Sequence, residues 1–348
     1  MNKIDSSQIV RAAEKLNKNI FTRNDALSFL QQVKQEKNQA ERLISWLIIF
    51  NIIKPYNIAN ECARLYTEYL DLQDKFFHDG DPMKLIGEDE EFIIMADTQR
   101  SNAWFSKISH QIGLTQDDIK DASYQIPRVL ATLTKTDPFY KYTQGYDRYA
   151  FITYALGLFF STQSSLPSEV AESFSYALTK KILRFVDINK ILGDMDETQA
   201  EFISIDKGIA KIFPDIYKEL QKMNHGSFYF ALKWQLILFA DEHTLSDTFL
   251  IWDSIFLRQN DYDSFRADLI MAHLSQIQID QDVIMIEKIQ KYKEWDTIKL
   301  INYAVQRYEK KSRTFETKHY IFILYVLLLI VALIYFYFNG SGINFSDL

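Results

Sequence analysis

Two short segments carry residue types whose spacing suits work on a phosphate. The first is Ile94-Met-Ala-Asp97-Thr-Gln-Arg100. On a helix its positions i, i+3 and i+6 spread over one flank, so the isoleucine can enter a core while Asp97 and Arg100 approach its edge. A carboxylate one turn before a guanidinium accepts its hydrogen bonds and holds it in one rotamer, and an arginine fixed that way can present charge to a phosphate. The second is Tyr142-Thr-Gln144-Gly145-Tyr146, just before a very apolar stretch. Gly145 permits a tight turn or close approach by a partner, and a glutamine amide, which donates and accepts, can orient a water. Taken singly, an i,i+3 surface ion pair explains the first segment better, and a plain polar helix start the second.

Other chemistries find little support. The sequence has no P-loop, no GxSxG, no HExxH and no dinucleotide-type glycine loop. Its six histidines, at 78, 110, 225, 243, 273 and 319, show no ligand spacing and read as surface or half-buried side chains. The carboxylates of 78–91, and Asp194, Asp196 and Glu197, do not follow a calcium loop and read as solvated acidic loops. A single cysteine, Cys62, excludes an intrachain disulfide and a cysteine zinc cluster. A formal charge of −7 without a long basic tract argues against nucleic acid as a partner.

The elements that must position these residues are helices. Only 10 Gly and 6 Pro occur among 348 residues, of which 47% are hydrophobic, so one all-α domain with short connections is expected. Helical periodicity runs through 56–77, 168–185, 204–223, 228–240, 245–257, 262–274 and 280–289, and two further helices begin near Ser6 or Ser7 and near Asn24 or Asp25. Segments 43–53 and 149–160 are strongly apolar but too short to span a bilayer, and so are expected in the core, the second as a central helix.

The run 321–338 is different: 18 apolar residues without a charge, about 27 Å as a helix at ~1.5 Å per residue. It is expected to be a single C-terminal transmembrane helix. Arg307, Lys310, Lys311, Arg313 and Lys318 precede it and no Lys or Arg follows, which keeps the N-terminal part in the cytosol by the positive-inside rule. The first residues lack the apolar core of a signal peptide. The chain thus divides into a cytosolic domain at 1–305, a basic juxtamembrane segment at 306–319, a span at 320–338 and a short lumenal tail at 339–348.

In this order the segments resemble a family. IxxDxxR at 94–100, followed a few dozen residues later by YxQGx at 142–146, is similar to the paired signatures of TBC domains, the GTPase-activating domains for Rab GTPases. The stretch 128–149 resembles the approach to the glutamine motif, 230–239 and 250–253 the later Trp/Phe helix and "WD" motif, and 42–46, more weakly, the opening Arg/Trp helix. The likeness covers roughly residues 40–275. QGY in place of QGM, together with the C-terminal apolar helix, resembles the membrane-anchored branch, whose members sit on the endoplasmic reticulum and act in early secretory traffic. Ser101 stands where Thr is common, and the opening motif lacks its usual glycine. Arg128 is the poorer finger candidate, because Gln125 and Ala122 precede it where Asp and Ile belong.

The resemblance implies a multi-helix TBC-type fold and a Rab GTPase as partner. Arg100 would be an arginine finger and Gln144 a glutamine finger, both acting in trans. Asp97 would hold Arg100, and Tyr142 and Gly145 would set the geometry around Gln144. Trp234, Trp252 and Asp253 are expected to be architecture. No cofactor of its own is implied; GTP and Mg²⁺ come with the partner. Three rivals stand beside this reading. The main one is a catalytically silent tail-anchored Rab adaptor or tether. A SNARE-like protein would need a heptad seam that 289–320 does not keep, and a private hydrolase lacks a nucleophile–base pair.

Overall fold

The chain is described by a computed structural model covering residues 4–34, 37–77, 82–280 and 283–340. The described residues are helical with no strand. Local chemistry sets most boundaries. Helix α1 (Ser6–Leu16) starts where expected and is capped by Asp5, whose carboxylate accepts the Ser7 N–H at 3.0 Å. Helix α2 (Arg23–Gln31) opens with a Thr22/Asp25 capping box. Asn38 caps α3 (Gln39–Ile49), and α4 (Ile58–Phe77) follows.

The next helix, α5 (Glu88–Ser109), corrects the acidic-loop reading. Residues 78–81 lie outside the described residues, but Glu88, Asp89, Glu90 and Glu91 form its first turn, where carboxylates meet the positive end of the helix dipole. After α6 (Gln116–Ile119) come α7 (Ala122–Thr136), α8 (Tyr146–Gln163), α9 (Ser168–Val186) and α10 (Ile188–Gly193). Asp194 likewise serves a helix start: as the N-cap, its carboxylate accepts the N–H groups of Asp196 and Glu197 and opens α11 (Met195–Ile212). The helix expected over 204–223 breaks at Pro214, which begins α12 (Pro214–Lys222) because proline fits a first turn and not an interior. The series closes with α13 (Phe228–Leu236), α14 (Leu245–Phe256), α15 (Tyr262–Leu274), α16 (Met285–Lys291) and α17 (Thr297–Gly340).

Helix α8 is the axis of the fold, packed by α3, α5, α7 and α9 and buried around almost its whole circumference. Its approach to α9 is so close that a Cβ at Gly157 would stand 2.8 Å from the Ala171 carbonyl oxygen. Beside it, Trp46 packs on Trp252 and Phe256, and the buried Asp253 takes the Trp46 indole N–H at 2.8 Å, Lys37 at 2.9 Å and Arg42 at 3.2 Å. Trp234, Trp252 and Asp253 are thus interior architecture.

Two histidines depart from expectation. His243 and His273 are buried, with their Nε2 atoms 2.9 Å apart, and His273 stacks on Phe239. Burial pushes both imidazoles below their usual value, that of His273 to about 3.

The start of α17 belongs to the domain: Leu300, Ile301 and Ala304 are buried, and Arg307 and Lys311 donate to the buried carboxylate of Asp268 at 3.1 and 2.6 Å. The helix continues through residue 305 without a break. Among the described residues no helix is long and apolar enough to cross a membrane. The side chains at 321, 322, 324 and 331–338, most of the apolar run, lie outside the described residues, as does the tail at 341–348.

Candidate functional site

Helix α5 and the turn before α8 meet along one side of a cleft of about 660 Å³. Ile94 anchors α5 in the core, which carries Asp97 into a buried position and leaves the Arg100 side chain 66% exposed. The two meet as an i,i+3 pair, Arg100 donating to Asp97 Oδ1. The other carboxylate oxygen, Oδ2, accepts the Tyr142 hydroxyl at 3.0 Å. Burial, with Asp147 and Asp97 close by, raises the Tyr142 phenol far above its usual value, so it remains a donor. One buried carboxylate therefore ties the exposed guanidinium to the segment that carries Gln144.

That segment ends at Gly145, the N-cap of α8, with φ +105°. An L side chain is strained there, and a Cβ would also come within 3.3 Å of Ile237 Cγ2. Gln144, immediately before it, is exposed on the cleft and its amide makes no hydrogen bond among the described residues. Of the five residues singled out from sequence, Asp97, Arg100, Gln144 and Gly145 line this one cleft, and Tyr142 supports it from behind.

A second layer was not anticipated. Arg148, on the first turn of α8, stacks on Trp104 at 4.3 Å and donates to Ser101 Oγ and, at 2.6 Å, to Asp241. Ser101 in turn donates to Asp147. This chain fastens the residue after Arg100 to the helix that Gln144 precedes. Burial raises the Asp147 carboxyl, and Ser101 and Arg148 only partly reverse it. At Asp241 burial also pushes upward, but Arg148 and Lys233, the latter at 3.2 Å, outweigh it and hold the carboxyl below its usual range. Arg148 lies next to the glutamine motif and was within reach of sequence reading; Asp241, 93 residues further on, gave no local signal.

Leu192, Leu232, Leu236 and Ile237 add an apolar part to the lining. The site thus offers a cation oriented by a buried counter-charge, a free amide, and a surface that sheds water. Such a site suits stabilising charge on an incoming group better than bond-making of its own. Among the described residues no group of three or more His, Cys, Asp or Glu side chains can hold a metal ion. Arg128, the other arginine considered, is buried and engaged by Glu172, away from the cleft.

The family profile described as the Rab-GTPase-TBC domain matches residues 39–290. Among solved structures the chain is similar to the crystal structure of the Ypt/Rab-GAP domain of Gyp1p, with a TM-score of 0.62 and 16% identity over 88% of this chain and 100% of that one. At that identity the likeness is one of fold. No curated protein matches the chain in sequence.

Proposed function

We propose that this chain, which belongs to the Rab-GTPase-TBC domain family, accelerates GTP hydrolysis by a Rab GTPase by lending it Arg100 and Gln144. The observation that carries the reading is the exposed Arg100 guanidinium, steadied by buried Asp97 on the wall it shares with an unengaged Gln144. Phosphoryl transfer needs little covalent help. It needs compensation for charge spreading over the transferred group and its leaving oxygen, and an attacking water in line. The Arg100 guanidinium supplies the first. The Gln144 amide supplies the second, accepting a hydrogen bond from the water through its carbonyl while its NH₂ group is free for an oxygen acceptor.

Asp97 keeps Arg100 in one rotamer, so little side-chain freedom is lost when it enters the partner. Tyr142 holds Asp97, and Gly145 lets the backbone turn sharply enough to expose Gln144. GTP and Mg²⁺ arrive bound to the GTPase. The run 321–338 anchors the chain in a membrane, which we place at the endoplasmic reticulum or early secretory pathway from the QGY resemblance and the length of the run.

The test is single-turnover GTP hydrolysis by a panel of Rabs with the full chain in detergent or liposomes, beside Arg100→Ala and Gln144→Ala. One or a few Rabs are accelerated, and both variants lose the effect. GTP-dependent binding without acceleration contradicts the proposal and leaves an adaptor.

A further inference from the structure

The exposed face of α5 carries more than Arg100. At helical spacing Ile93 and Arg100 fall on one side, two turns apart, with Phe92 and Ala96 beside them. Phe92 is 74% exposed, Ile93 46% and Met95 43%, whereas Ile94 between them is fully buried and holds the helix to the core. Single exposed apolar residues are common on any surface. Three among four consecutive residues, on the helix that presents the Arg100 guanidinium, leave an exposed apolar stretch about two turns N-terminal to it, outside the lining of the cleft itself. The carboxylates of Glu88–Glu91 border that stretch on one end and Arg100 on the other, so an apolar centre has a polar rim.

A guanidinium that enters a nucleotide site brings its own helix down onto the partner. Ile93 lies about 10 Å from Arg100 along the axis, at ~1.5 Å per residue, so it must meet whatever rims the nucleotide. In GTPases that rim is the switch region, ordered by the γ-phosphate and Mg²⁺ and released on hydrolysis.

We propose that Phe92 and Ile93 form an apolar ridge that docks on the γ-phosphate-ordered switch surface of the GTPase, so that the chain grips the GTP-bound partner and releases the product. The inference rests on the reading of α5 as the helix that delivers Arg100. Such a ridge contributes affinity rather than transition-state stabilisation, since its contacts are already complete in the ground state.

The experiment uses the full chain and Phe92→Ala/Ile93→Ala with the most responsive Rab. Single-turnover rate is measured against activator concentration, and binding is titrated with the Rab loaded with a non-hydrolysable GTP analogue or with GDP. In the double variant the half-saturating concentration rises at least ~10-fold, equivalent to about 1.4 kcal/mol. Its saturating rate changes less than about twofold, and its preference for the analogue-loaded form falls. Arg100→Ala behaves oppositely, losing saturating rate and keeping half-saturation. An unchanged half-saturation and nucleotide preference in the double variant overturns the ridge. So does a wild-type chain that sediments as a dimer and becomes a monomer in the variant, because the ridge then serves self-contact. If the wild type accelerates no Rab, the activator reading fails, and binding alone decides the ridge: loss of analogue-state binding in the variant supports it, and retained binding, or none by the wild type, overturns it.

Discussion

Arg100 and Arg128 each meet a buried carboxylate, yet the two pairs are built for opposite ends. Arg128 is enclosed with Glu172, which also accepts the Tyr69 hydroxyl, so the guanidinium has its charge answered on the spot. Asp97 is just as deeply buried as a carboxylate needs to be for rigidity, but its arginine stands two-thirds in solvent (66% exposed) with donors left over. One pair closes a core between α7 and α9; the other offers a positioned cation to something outside the chain. The difference lies in which partner is buried: burying both makes architecture, and burying only the anion makes a tool. Arg148 sits between these extremes, lodged on Trp104 and engaged by Asp241 and Ser101, and so braces the cleft.

The comparison breaks most readily at its two arginines. Arg100→Ala is expected to lower the GTPase rate at saturating activator by ~10³–10⁵-fold, the usual worth of an arginine finger, with a loss of stability smaller than that of Arg128→Ala, because its guanidinium is 66% exposed and Tyr142 still donates to Asp97. Arg128→Ala is expected to do the reverse. It leaves Glu172 buried and unpaired at a cost of about 3–5 kcal/mol, read by denaturant unfolding, while any protein that remains folded retains the Arg100-dependent rate. A large stability loss from Arg100→Ala would erase the distinction between the pairs.

Asp97→Asn sharpens it. The amide keeps the size of the carboxylate but no longer fixes the guanidinium by charge, and a rate loss of roughly 10²-fold at saturating activator follows from a misplaced group. Gly145→Ala is expected to act more gently, since the strain of a left-handed L-residue costs about 1–2 kcal/mol. Part of it appears as lower stability and part as a lower rate through the displaced Gln144.

Outside the site, a pH-dependent effect on stability alone lies at the neutral pair His243 and His273. Both imidazoles are held below their usual value by burial, His243 also by the neighbouring His273 and Lys293. Unfolding returns each to about 6.5, so below that pH the unfolded chain binds protons that the folded chain refuses. The contribution is therefore full above pH ~6.5 and is lost progressively as pH falls below it, for His273 toward about 3, by up to about 1.4 kcal/mol per pH unit for each histidine. Unfolding free energy measured between pH 7 and 5 should decline, and decline less steeply in His273→Phe.

How far the sequence foretold this depends on the range of each interaction. The helices and the central place of α8 were legible because periodicity and turn residues are local signals, whereas the meeting of 94–100 with 142–146 was expected only through the family resemblance. Asp97 and Arg100 were paired by spacing alone. What escaped was set by contact between distant segments: Arg148 with Asp241, His243 with His273, and Asp268 drawing Arg307 and Lys311 into the domain although charge counting assigned them to a membrane border. The acidic runs misled for another reason. Carboxylates are common both in loops and in first helical turns, and composition does not separate the two for Glu88–Glu91 or Asp194.

The central claim is that Arg100 and Gln144 act on the partner's nucleotide. It is tested most directly by complex formation with a responsive Rab carrying GDP and aluminium fluoride, a mimic of the transferring phosphoryl group, because groups that serve the transition state bind such mimics more tightly than the ground state. The account predicts a fluoride-dependent complex with the wild type that is lost in Arg100→Ala and in Gln144→Ala and kept in Arg128→Lys. A complex that forms equally well without the Arg100 side chain would contradict it.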